Sequence, residues 1–318
     1  MRVETRALNP TPRWIFALTA ALWSGACVEG QRSSEVGSII PHEDTAWRAT
    51  LIEYRNEKDE ELKTSEVSPL AHSQYLLSES RETIYLTRKD KTFGLAYFPP
   101  VPDAVLMIVK EVDRWYWYDQ GLNVICQQDN EPMPNGSPIN APATFLIEGF
   151  YVSVHPEENR FAFAIYDRER PDKKSFEHLH YFPPDDTYVV DAQLTKFPEP
   201  DEVTLMTSQN LKKVFYRYAR VEFQLEGNTR ELTAFKYEIS GDDSSTLFIP
   251  FEDATTSRES YREGRFLEIE EPETERFELD FNRSFNPLCA YSPAHDCPIP
   301  PEENHLTIAI RAGEKTYK

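Results

Sequence analysis

Glycine is scarce in this 318-residue chain, at eleven residues, and cysteine and methionine are scarcer, at four each. No Gly-rich stretch of the kind that cradles a phosphate is present. The four cysteines lack the spacing of a zinc finger, which excludes that framework. Neither common nucleophile signature occurs: there is no Gly-x-Ser-x-Gly, and no cysteine stands in a protease context. Positive charge is short as well, with 34 Lys and Arg against 54 Asp and Glu, a net of −20. A nucleic-acid surface needs clustered basic side chains, and so does adsorption to anionic head groups; both are disfavoured. Beyond residue 26 no apolar run approaches the roughly 20 residues that a membrane-spanning helix needs.

What is present begins at the N-terminus. Arg2, Arg6 and Arg13 precede the apolar run Trp14–Trp23, followed by Ser24-Gly25-Ala26-Cys27. A basic segment, a short apolar stretch and small residues before a cysteine read as an export signal. The four residues ending in Cys27 resemble a bacterial lipobox, with Ser24 where leucine is usual. Ordinary signal cleavage also fits Ser24 and Ala26, and both routes cut after Ala26. Loss of residues 1–26, with three Arg and one Glu, takes the net charge from −20 to −22. The reading is a signal peptide over 1–26, a polar tether over 27–44 and a single mainly-β domain over 45–318.

Twenty-four prolines and 13% aromatic residues point to many turns and a substantial core. Trp47, Leu51 and Tyr54 recur at helical spacing behind a cap at Asp44 or Thr45, which predicts one N-terminal helix. From there on, runs such as "AVLMIVKEV", "TFLIEGFYVSV", "FAFAIYD", "VFYRYARVEFQLEG", "RFELDFN" and "LTIAIRAGE" read as strands, rich in β-branched and aromatic residues. No strand–helix alternation follows, so the predicted fold is mainly β, an antiparallel sandwich or partly closed barrel.

Candidates for chemistry are few. His178 and His180, two apart in a strand-like stretch, share a face, and paired imidazoles can begin a metal site. A third ligand at fitting spacing is missing, so the plainer reading is a solvated pair; neither metal nor cofactor is expected. Residues 285–306 hold five prolines, two cysteines and two histidines. With Cys27 lipidated, three cysteines remain, and in an oxidising compartment Cys289 and Cys297 are expected to form a disulfide. Closing so short a loop contributes about 2.5 kcal/mol.

The segments "YFPPDDTYVVDAQL", "IPFEDATTSRESYREGRFLEIE", "LDFNRSFNPLCAYSP" and "CPIPPEENHLTIAIRAGEK" resemble the Domain of Unknown Function 1684 family, closely over about residues 161–315. Many members of that family are bacterial envelope lipoproteins, which agrees with the signal read above. The family has no established activity. Its polar motif positions fall on Asp253, Thr255, Tyr261, Arg265, Asp280, Asn282, Asn286, Asn304, Glu314 and Lys315. Ala164 stands where the pattern carries an arginine. In "LDFN", Asp280 and Asn282 are two apart in a strand and share a face opposite Leu279 and Phe281. Arg265 is the partner expected for Asp280, with Asn286, Asn304, Glu314 and Lys315 completing a ligand-binding pocket rimmed by the proline-rich loop.

The resulting expectation is an exported lipoprotein that binds a small molecule or envelope component, touching the membrane only through its anchor. The alternative is an envelope hydrolase with a polar site around Arg265 and Asp280.

Overall fold

The computed structural model describes residues 44–318 except 129–130, 140, 158–159 and 241–244. The segments expected to be a signal peptide and a tether, with Cys27 and up to residue 43, lie outside the described residues. Helix α1 runs from Asp44 to Thr64, as the spacing predicts. Its buried stripe is Trp47, Leu51, Arg55, Lys58 and Leu62, so two of the five inward positions are cations. The cap expected at Asp44 or Thr45 falls on side chains outside the described set.

The rest is antiparallel β-structure. The first half holds β1 (His72–Leu77), β2 (Thr83–Lys89), β3 (Thr92–Ala96), β4 (Ala104–Glu111) and β5 (Arg114–Asp119). It continues with β6 (Ile125–Gln128), β7 (Glu131–Met133), β8 (Ala143–Ile147), β9 (Phe150–Glu157) and β10 (Arg160–Asp167). Two sheets result, ordered β1-β10-β9-β8-β6-β7 and β3-β2-β4-β5. They enclose one apolar core: Leu86, Ile108 and Trp117 come from the smaller sheet, Phe145, Val152, Phe161 and Phe163 from the larger. This is a β-sandwich, built by the period-two alternation that puts every second side chain inside. The run "TFLIEGFYVSV" is not one strand. Glu148 and Gly149 both take positive φ, 43° and 87°, the conformation of a two-residue hairpin turn between β8 and β9.

A four-residue helix, α2 (Pro171–Lys174), opens on proline, where a missing N–H costs nothing, and leads into the second half. There β11 (Val189–Met206), β12 (Lys212–Leu225), β13 (Asn228–Lys236), β14 (Thr246–Phe251), β15 (Arg265–Glu270) and β16 (Arg276–Asp280) form one sheet. Its order is β15-β14-β13-β12-β11-β16. Irregular registers at Lys196/Asp201 and Arg217/Ala219 bend the long strands, and the sheet curls into part of a barrel. Apolar side chains collect on both of its faces: Val221, Leu232, Ile249 and Leu279 on one, Phe215, Phe235, Phe248 and Phe266 on the other.

The C-terminal run "LTIAIRAGE" is extended but joins no strand ladder, contrary to its pattern. Side chains and loop backbone share its bonds: the Ile310 N–H donates to Asp253 Oδ2 at 2.5 Å, Arg265 donates to the carbonyls of Ile310, Ala312 and Glu314, and the carbonyls of Ile308 and Gly313 accept from the Ala254 and Phe182 amides. This tail lays Leu306, Ile310 and Ala312 against the sheet.

Candidate functional site

Arg265 begins the edge strand β15, and Asp253 and the C-terminal tail close over its side chain, which is 1% exposed. Its partner is Asp253, at 3.1 Å, and not Asp280 as expected. The loop leading out of β14 carries Asp253 back over β15, where Asp253 also accepts from the Thr255 N–H and hydroxyl. Burial pulls the Arg265 pKa down, against the upward pull of Asp253 and Glu314. The guanidinium meets Asp253 and three tail carbonyls, so it acts as a clamp on the C-terminal tail.

Asp280 and Asn282 do not share a strand face. The strand ends at Asp280, and residues 281–283 turn into a 3-10 helix that Asp280 caps by accepting the Asn282 N–H at 2.8 Å. Phe281 is buried as expected, but so is Asn282, which bonds the Asp185 N–H and carbonyl. Asn304 is used similarly, accepting from the Thr233 N–H and donating to the carbonyls of Thr233 and Pro250. These atoms brace loops against the sheet. The expected solvent-reachable pocket is replaced at Arg265, Asn282, Asn286, Asn304 and Glu314 by side chains at most 1% exposed. A shallow depression of about 320 Å³ beside the β12–β13 hairpin, lined by Thr187, Tyr188 and residues 224–227, shares no residue with them.

The arrangement around Glu314 is different, because part of it comes from α1. Glu314 Oε2 accepts the Asn286 N–H at 2.9 Å and the Tyr291 hydroxyl at 2.6 Å. Its Oε1 accepts Lys58 Nζ at 2.5 Å. Burial alone would lower the Lys58 pKa, but Glu314 and Tyr54 outweigh it and the net shift is upward, so the ammonium stays charged. Burial and Glu314 push the Tyr291 hydroxyl well above its ordinary value and keep it a donor. Lys58 also lies over the Phe285 ring at 4.5 Å. One turn earlier, Arg55 stacks over Tyr181 at 4.4 Å and donates to the carbonyls of Phe182 (3.1 Å) and Asn282 (3.4 Å). Trp47 Nε1 donates to Asp280 Oδ2 at 3.1 Å. Lys315 lies over Phe182, 5.2 Å from the ring centre, and Asn286 Nδ2 holds the Lys315 carbonyl at 2.8 Å. Arg55, Lys58, Tyr181 and Tyr291 were not singled out from the sequence. The signal that finds the two cations is the helical stripe itself, continued past Tyr54, with basic residues at inward positions; no sequence signal marks Tyr181 or Tyr291.

The disulfide expected between Cys289 and Cys297 is not formed; both are free thiols. The 3-10 turn over Leu288–Ala290 brings the Cys289 amide, rather than a bond between sulfurs, onto Cys297 Sγ at 3.0 Å. The sulfur of Cys289 lies 3.6 Å from Glu263 and 3.7 Å from the Tyr261 hydroxyl. The rings of His178 and His180 are 5.4 Å apart, and both residues are exposed. Among the described residues no three potential ligand side chains cluster as a metal site would need.

Fold and site define a mainly-β protein whose C-terminal sheet is braced by a buried polar network and covered by a helix from the N-terminal side. Residues 174–315 match the model of the family described as "Protein of unknown function (DUF1684)". It is also similar to an uncharacterized protein from Haloarcula marismortui solved by solution NMR, at 41% identity and a TM-score of 0.39. That match covers 46% of this chain and 80% of the archaeal one. No curated protein matches. Helix α1 and the first-half sandwich, with Ala164 on β10, lie outside residues 174–315.

Proposed function

We propose that this protein is an exported, lipid-anchored binding module at the cell envelope, holding a small molecule or partner without transforming it. The observation that carries the reading is how the family's polar motif is spent. Arg265, Asn282, Asn286, Asn304 and Glu314 are bonded inward, to tail, loops and α1, at positions closed to solvent. A hydrolase built around Arg265 and Asp280 needs those two side chains to face a substrate together. Here the first clamps the tail and the second caps a turn. The polar tether ahead of α1 fits a body held off a membrane by an acylated Cys27.

Intact-mass measurement of membrane-extracted protein tests the anchor: the chain should begin at Cys27 and carry acyl groups. An unmodified Cys27 would remove the anchor. Mass spectrometry of whatever co-purifies tests the module, with a stoichiometric ligand or partner expected. Turnover of envelope components by the purified protein would overturn it in favour of the hydrolase.

A further inference from the structure

Helix α1 buries a lysine and an arginine where leucine or methionine would have sealed the same contact without desolvating charge. Replacing buried ion pairs by well-packed apolar residues is often neutral or stabilising, so adhesion alone does not call for them. What they meet comes from the family-matched half: the Glu314 carboxylate, the rings of Phe285 and Tyr181, and the carbonyls of Phe182 and Asn282. A carboxylate oriented by two donors beside aromatic faces has the chemistry of a cation receptor. The Asn286 N–H and Tyr291 hydroxyl hold one oxygen of Glu314 and leave the other aimed at Lys58.

A second observation marks the same place. Of eight buried side-chain polar atoms without a partner among the described residues, three belong to Arg55 (Nε), Tyr181 (Oη) and Asn286 (Oδ1). Asn286 is 1% exposed and adjoins Glu314 through its own amide. Orphaned buried acceptors and donors are rare in a contact shaped only for packing. Their grouping fits a receptor that α1 fills incompletely.

We propose that Glu314, with Phe285, Tyr181, Tyr291 and Asn286, forms a recognition site for a primary alkylammonium group, occupied in this chain from within by Lys58. On this assignment α1 is an internal ligand, and an external amine must displace it. Tethering gives Lys58 a high effective concentration, so the resting chain holds its own cation. The inference deepens the binding-module reading and rests on it; it names the ligand's chemistry.

The test is rescue in the full chain. Lys58→Ala deletes three methylenes and the ammonium, which n-propylammonium matches in size and charge. Its thermal midpoint should rise with n-propylammonium at neutral pH, with half-saturation about tenfold lower than for the uncharged 1-propanol, as expected for a hydrogen bond to a charged group. Wild-type protein, already filled, should show no comparable rise. If Lys58→Ala does not fold in buffer, the readout is recovery of its cooperative transition on adding the amine. Lys58→Met, filled but uncharged, serves as the unresponsive control. Equal rescue by 1-propanol, an equal response in wild type, or a response surviving in Lys58→Ala/Glu314→Gln would overturn the site. Those outcomes leave the anchor and module untouched, which stand or fall on intact mass and co-purification.

Discussion

Gly313 takes φ +76° where the tail crosses residues 281–284. A Cβ there would lie 2.0 Å from Ser284 Oγ and 2.5 Å from the Ser284 carbonyl, closer than any real contact. Gly227, at φ +71°, has nothing within 4 Å of the same added atom. Both Gly→Ala changes incur left-handed strain of about 1 kcal/mol, but only Gly313→Ala must also push the tail off its clamp. Urea unfolding should therefore show Gly313→Ala clearly less stable than Gly227→Ala; equal midpoints would contradict the tail's position. Thiol reactivity gives a second residue-level check. Burial pushes the Cys126 thiol up to about 12 and that of Cys297 well above its ordinary value, while Cys289 is only half-buried. Among Cys126, Cys289 and Cys297, maleimide should label Cys289 first in the native, unreduced protein, and all three after unfolding. Failure to label Cys289 and Cys297 after unfolding would restore the disulfide.

At the scale of elements, α1 is fastened by charges as much as by its apolar residues. Trp47, Leu51 and Leu62 supply the packing, while Lys58 and Arg55 supply bonds to residues more than a hundred positions away. Removing one partner of a buried pair leaves the other desolvated, at a cost of about 3 kcal/mol or more. Lys58→Met and Glu314→Gln should each destabilise by that order, whereas the double variant should lose less than the two losses added. The coupling, about 1–3 kcal/mol, is read from urea midpoints of the four proteins. Strict additivity would mean that the pair does not hold α1 down.

Over the whole molecule the two halves meet at a histidine pair, His72 buried and His295 half-buried. His72 on β1 lies 3.1 Å from His295 in the proline-rich loop, and Ser292 of that loop donates to the His72 carbonyl at 2.7 Å. Tyr166 stacks on His72, Arg170 donates to the His72 carbonyl and to Ser292, and Lys213 and Asp296 stand on the His295 side. Burial lowers His72 to about 4, and burial together with His72, Lys213 and Arg170 drives His295 well below its ordinary value. Both are therefore neutral when folded and take up protons on unfolding. Their contribution is fully present above pH 6.5 and declines as pH falls towards 4, by about 3 kcal/mol for His72 alone. Denaturation midpoints measured between pH 7 and 4.5 should fall steeply in wild type and less in His72→Gln. Parallel slopes would show that the decline belongs to carboxylates elsewhere.

Local pattern alone determined the strands and the helix. The apolar runs of β-branched and aromatic residues in "AVLMIVKEV" and "FAFAIYD", and the spacing of Trp47, Leu51 and Tyr54, are properties of neighbouring side chains and survive any arrangement in space. The motif residues were also visible as a group, but their partners were not. Arg265 finds Asp253 rather than Asp280 because the loop between β14 and β15 folds back over the strand. "LTIAIRAGE" has the alternation of a strand yet joins no ladder, since Asp253 and Arg265 take several of the bonds that a neighbouring strand would supply. Lys58 and Glu314 meet across 256 positions. Periodicity is written in adjacent residues, whereas which charge faces which depends on how loops close and which layers pack, and only the tertiary structure decides that.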